Sequence, residues 1–145
     1  MTIPTAYDAP VSVSGFRCAL AWVITAVAAT ALRSVRFHRI ERLARWLMRP
    51  IRRSASVVEI DIMLAAIDRA GGWLPVRVAC LERSLAVVMW CGLLRRSVCW
   101  RIGVRSPPFT AHAWVEAAGR PVGELVSLDS YQPILTIGHP HREKP

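Results

Sequence analysis

Apolar positions in the first two thirds of the chain recur at spacings of three and four, and those in the last third fall in short β-rich runs divided by turn residues. The pattern predicts helices first and strands afterwards. Cys18 to Leu32 is a fifteen-residue run without charge, bounded by Arg17 and Arg33. It is short for a membrane span, which needs about twenty residues, and reads as a helix buried on the core. Arg33, Arg36, Arg39, Arg42 and Arg45 then recur every three residues, with Leu32, Val35, Ile40, Leu43 and Leu47 supplying the apolar side and Pro50 marking the end. That is an amphipathic, cationic helix. Ser56 to Arg69 is a third helix: Ser56 and Glu59 have capping-box spacing, Ile60, Met63, Leu64 and Ile67 form its apolar face, and Gly71-Gly72 stops it.

After a Trp73-Leu74-Pro75 turn, Cys80 opens a fourth helix in which Leu81, Leu85, Val88, Met89 and Leu93 share one face. Val98 to Arg105 is a strand, Ser106-Pro107-Pro108 a turn and Phe109 to Ala117 a second strand, and after Gly119 a third short run covers Pro121 to Leu128. The expected fold is α+β, a helical first half packed on a small antiparallel sheet with the Cys80 helix lying across it.

Chemistry concentrates where helix gives way to strand. At the amino end of its helix Cys80 meets backbone N–H groups without intrahelical partners, and with the helix dipole these favour thiolate over thiol. His112 lies thirty-two residues on, inside the second strand. A strand returning across the helix start brings imidazole to thiol, giving a nucleophile and its general base, with the free N–H groups available to an oxyanion. Glu124 is expected to orient His112 from a neighbouring strand, and Asp129 is the rival for that role. The Gly-Gly-Trp segment at Trp73 is expected to wall the cleft. An isolated cysteine and histidine are more often a buried apolar residue and a satisfied core histidine, so the helix-then-strands frame is what raises the pair.

The runs CLERSLA, RIGVR and PFTAHAWVEAAGRPVGE, from Cys80 to Glu124, resemble the leader peptidase of lasso-peptide biosynthesis, in its stand-alone form without a precursor-recognition domain. The resemblance implies a transglutaminase-like, papain-related fold, with Cys80 as nucleophile, His112 as base and Glu124 where the family usually has an aspartate. It implies removal of the leader from a lasso-peptide precursor through a Cys80 thioester, with no metal or organic cofactor. The length leaves no space for a fused recognition domain, so a separate leader-recognition protein and an asparagine-synthetase-like cyclase are the expected partners. Two other readings stay open. One is a non-catalytic peptide-binding module, the other a membrane-surface adaptor acting through residues 16–53.

With 145 residues, 53% of them apolar, the chain fits one domain with a real core. The expected boundaries are a flexible segment over 1–15, a cysteine protease domain over 16–138 (apolar and cationic helices over 16–53, catalytic core over 54–138) and a disordered tail over 139–145. Cys18, Cys80, Cys91 and Cys99 form no CxxC pair, so neither a zinc site nor a disulfide scaffold is suggested, and Cys91 reads as packing. His139 and His141 flank Pro140 without the further ligands a metal needs. Asp61 and Asp68 read as surface solvation.

The net charge of +9 attracts an acidic peptide leader, anionic lipid or nucleic acid alike. No zinc finger, RNP-type motif or helix-turn-helix pattern supports nucleic acid. Ala29-Thr30-Ala31 resembles a signal cleavage site, but the region ahead of the apolar run is long and contains Asp8. A cytoplasmic protein, with membrane association through residues 16–53 left open, is expected.

Overall fold

Ser56 starts the helix most plainly specified by local chemistry. Its Oγ accepts from the Glu59 N–H at 3.1 Å while the Glu59 carboxylate accepts from the Ser56 N–H at 2.8 Å, which satisfies two otherwise orphaned donors. The computed structural model describes residues 14–49 and 53–139. It contains four helices, α1 (Gly15–Ser34), α2 (Phe37–Met48), α3 (Val57–Gly71) and α4 (Cys80–Leu93), and four strands, β1 (Cys99–Arg105), β2 (Thr110–Ala117), β3 (Arg120–Pro121) and β4 (Gln132–Ile137). The sheet is antiparallel in the order β3-β2-β1-β4. α4 lies against β2, and α1 and α3 pack on α4 from the other side. One apolar core runs through both layers, from Ala21, Ile24 and Ala28 of α1 through Ile60 and Ile67 of α3 and Val87 and Val88 of α4 to Trp100, Val115 and Ile137 of the sheet. The architecture is α+β.

Four expectations need correction. The cationic helix is broken: α1 runs through Arg33 to Ser34, Val35 and Arg36 are extended, and α2 begins afresh at Phe37. The apolar spacing keeps its helical phase across this break, so periodicity does not reveal it. The chain must turn here because α1 packs along α3 and α4 while α2 reaches α4 and β4. Arg33 consequently belongs to α1, where it donates to the Ala29 carbonyl at 2.9 Å, and Leu43, assigned to the apolar side, is exposed. Secondly, α1 is longer than its uncharged run. Twenty residues with a mean hydropathy of 1.6, only 28% buried over the most apolar eighteen, make it long and apolar enough to cross a membrane by length and composition.

Thirdly, the run from Pro121 to Leu128 is not a strand, because β3 pairs with β2 only at Arg120 and Pro121. Gly123, at φ +69°, turns the chain out of the sheet, and a Cβ there would collide with Leu64 of α3. Lastly, β4 occupies the far edge beside β1, in a stretch that the sequence pattern leaves unassigned. Its Pro133 is tolerated because an edge strand can spare an N–H. The expected flexible segment and tail lie mostly outside the described residues, although α1 already begins at Gly15.

Candidate active site

Cys80 is the first residue of α4, half-buried, and Ala79 before it has no side chain able to cap the helix. The Glu82 carboxylate reaches back to the Ala79 N–H at 3.2 Å, and the first intrahelical bond runs from the Arg83 N–H to the Ala79 carbonyl at 3.0 Å. No side chain caps the first N–H groups of α4, which leaves them and the positive end of the helix dipole to whatever occupies the site.

His112 sits on β2 opposite Gly103 of β1, and Cys80 and His112 line the same groove. His112 Nε2 is 2.6 Å from Glu124 Oε2, a hydrogen bond in which the carboxylate accepts. The carboxylate thereby fixes the imidazole tautomer and leaves Nδ1 as the nitrogen free for proton transfer. Glu124 reaches His112 from the loop after β3 rather than from a strand. Asp129 is elsewhere: it is exposed and accepts from Ser127 Oγ at 2.9 Å.

The groove holds about 420 Å³. Apart from the thiol and the imidazole its wall is almost wholly apolar, with Phe37 from α2, Leu81 from α4, Ile102 from β1, and Ile134 and Leu135 from β4. Trp73, expected to wall the cleft, is 80% exposed and stands apart from this lining.

A family model described as the transglutaminase-like superfamily matches residues 22–136, from within α1 into β4. The chain belongs to the transglutaminase-like superfamily. No curated protein and no solved structure matches it.

Within this transglutaminase-like domain an aromatic bracket holds the imidazole, and sequence reasoning missed it. The His112 and Trp114 rings lie nearly parallel, centroids 6.2 Å apart at 15°. Tyr131 leans on both, at 5.8 Å from His112 and 6.3 Å from Trp114, and the Arg105 guanidinium covers Tyr131 at 5.1 Å. The alternation of His112 and Trp114 along one strand was the available signal; Tyr131 had none. Trp114 is also fixed by donating Nε1 to Glu116 Oε1 at 3.0 Å.

Gly103 makes space for that indole, since a Cβ there would stand 2.8 Å from Trp114 Cη2 and 3.1 Å from the Gln132 carbonyl. Gly103→Ala is therefore expected to push Trp114 against His112 and to destabilise the domain by about 1–3 kcal/mol, the range for overpacking a core. Urea denaturation of the variant against wild type measures it.

Cys91 and Cys99 are buried, whereas Cys18 and Cys80 are half-buried. No disulfide joins any two of the four cysteines. Burial pushes the Cys91 thiol up to about 12, and its Sγ donates to Met63 Sδ at 3.7 Å in the core, so it stays protonated and inert at neutral pH. Burial also raises Cys99. His139 is exposed after β4, and His141 lies outside the described residues. Among the described residues no three His, Cys, Asp or Glu side chains gather as a metal site.

Proposed function

We propose that this transglutaminase-like domain is a cysteine peptidase that removes the leader from a lasso-peptide precursor. The observation that carries the peptidase reading is one groove edged by an uncapped helix-start thiol and by an imidazole held 2.6 Å from a carboxylate. The lasso-peptide substrate rests on the likeness of CLERSLA and AHAWVE. His112 takes the Cys80 proton, and the thiolate attacks the carbonyl joining leader to core. The α4 N–H groups receive the oxyanion, and the His112 imidazolium protonates the departing core amine. His112 then deprotonates water, which cleaves the Cys80 thioester and releases the leader as a carboxylate with the thiol restored. This chemistry uses protons and a thiol alone, so it calls for no cofactor.

The core amine passes to a separate asparagine-synthetase-like cyclase, and a separate recognition protein delivers the leader. Four cysteines with no disulfide between them suit a cytoplasmic setting. The reading is tested by mixing the full chain with a lasso precursor and those two partners and following products by mass spectrometry. Leader and core fragments are expected, and an uncut precursor under all combinations would overturn it.

α2 supplies the surface for a partner. Arg36, Arg39 and Arg42 are exposed and have no ion-pair partner among the described residues, and Trp46, 67% exposed, stands among them. Replacing the three arginines together by glutamine is expected to weaken association, and the wild-type interaction should fade as salt rises. Fluorescence anisotropy with labelled leader, pull-down of the recognition protein and co-sedimentation with anionic vesicles distinguish the peptidase partners from a membrane adaptor. Unchanged binding in all three would make the stripe a solvated face.

A further inference from the structure

We infer that Arg83, clamped by Asp68, is a positioning residue for the Glu124 carboxylate and through it for His112, an inference that rests on the peptidase reading. Arg83 lies on the first turn of α4, three residues after Cys80. Its Nε and Nη2 donate to the two oxygens of Asp68 on α3 at 2.7 and 2.9 Å, a fork that fixes the plane of the guanidinium. Nη1 is thereby turned to the loop after β3. It donates to the Gly123 carbonyl at 3.4 Å and stands 3.9 Å from Glu124 Oε1, while the other Glu124 oxygen holds His112 at 2.6 Å. Two helices and a loop thus meet on one guanidinium, and each Glu124 oxygen faces a different cation or imidazole.

The distances decide what Asp68 does. The Asp68 side chain is 52% exposed, and ion pairs so exposed contribute little to stability, so the fork matters for where it places Arg83. With Asp68 satisfied, Arg83 stays back from Glu124 at 3.9 Å and the carboxylate serves the imidazole. Once the Asp68 charge is removed, Glu124 is a carboxylate still within ion-pair reach of Arg83. The guanidinium then closes on it and draws it from His112. Lysine in place of Arg83 keeps the charge but cannot fork, so it too loses the placement.

The test uses the full-length chain and a readout that needs no peptide: the rate at which iodoacetamide alkylates Cys80 at pH 7, resolved from Cys18 by peptide mass spectrometry. Asp68→Asn and Arg83→Lys are each expected to slow Cys80 alkylation about tenfold, the scale of a small misplacement of a reacting group. kcat for precursor cleavage should fall in parallel with KM unchanged. Cys18 alkylation should not change, Asp68→Glu should recover most of the loss, and Asp61→Asn, an exposed acid on the same helix, should behave as wild type. Wild-type alkylation and kcat in Asp68→Asn and Arg83→Lys, with a lowered melting temperature alone, would make the pair merely structural and overturn the inference. Slowed alkylation in a chain whose wild type cleaves no precursor would sustain the positioning role and remove the peptidase reading instead.

Discussion

On the peptidase reading, Cys80→Ala and His112→Ala are each expected to reduce leader removal by roughly 10³-fold or more, because a thiol nucleophile and its base act as one unit and neither has a substitute in the groove. Among the residues lining that groove there is no second thiol and no second imidazole. Cys91→Ala remains active, since its thiol is fully buried against Met63 and takes no part in proton transfer. Mass spectrometry of leader and core after incubation with the precursor measures the rates, and circular dichroism checks that each variant keeps its fold. Turnover at the wild-type rate by Cys80→Ala would end the peptidase reading.

Glu124→Gln is expected to lower the cleavage rate by about 10²–10⁴-fold, the scale on which an acid that orients a catalytic imidazole matters. The amide keeps the shape of the side chain, yet it no longer balances an imidazolium or fixes the tautomer through Nε2. Glu124→Asp retains much more activity, because a carboxylate one methylene shorter can still approach with a small shift of the loop. Asp129→Asn is nearly silent, since Asp129 bonds Ser127 at the surface. A single-turnover cleavage assay ranks the two amide variants, and the reverse order would transfer the orienting role to Asp129.

What the sequence made legible was local. The Ser56–Glu59 box links residues three positions apart, so its chemistry and its spacing are the same fact. Cys80 announces a helix start because the apolar spacing begins there, and the two long strands stand out because turn residues flank them. Asp68 reads as surface solvation along the sequence, since its partner Arg83 is fifteen residues away on another helix and no pattern along the chain joins them. The stretch from Pro121 to Leu128 was misread because its composition is that of a strand. Its path is set from outside by Leu64 below Gly123 and by His112 and Arg83 around Glu124. β4 escaped notice for the opposite reason: Pro133 and exposed positions disguise an edge strand whose partner, β1, is some thirty residues earlier. Tertiary contacts override local preference at both places.

The place of β4 in the sheet also bears on when the groove comes into being. Ile134 and Leu135, which form one wall, come from β4, whereas Cys80, His112 and Glu124 all precede it in the chain. A nascent chain that has emerged only as far as Tyr131 already carries thiol, imidazole and carboxylate but lacks the β4 wall of the groove, and β1 still presents an open edge where β4 will pair. Synthesis therefore delivers the chemistry before the wall, and the growing chain is spared a finished groove until the sheet is complete.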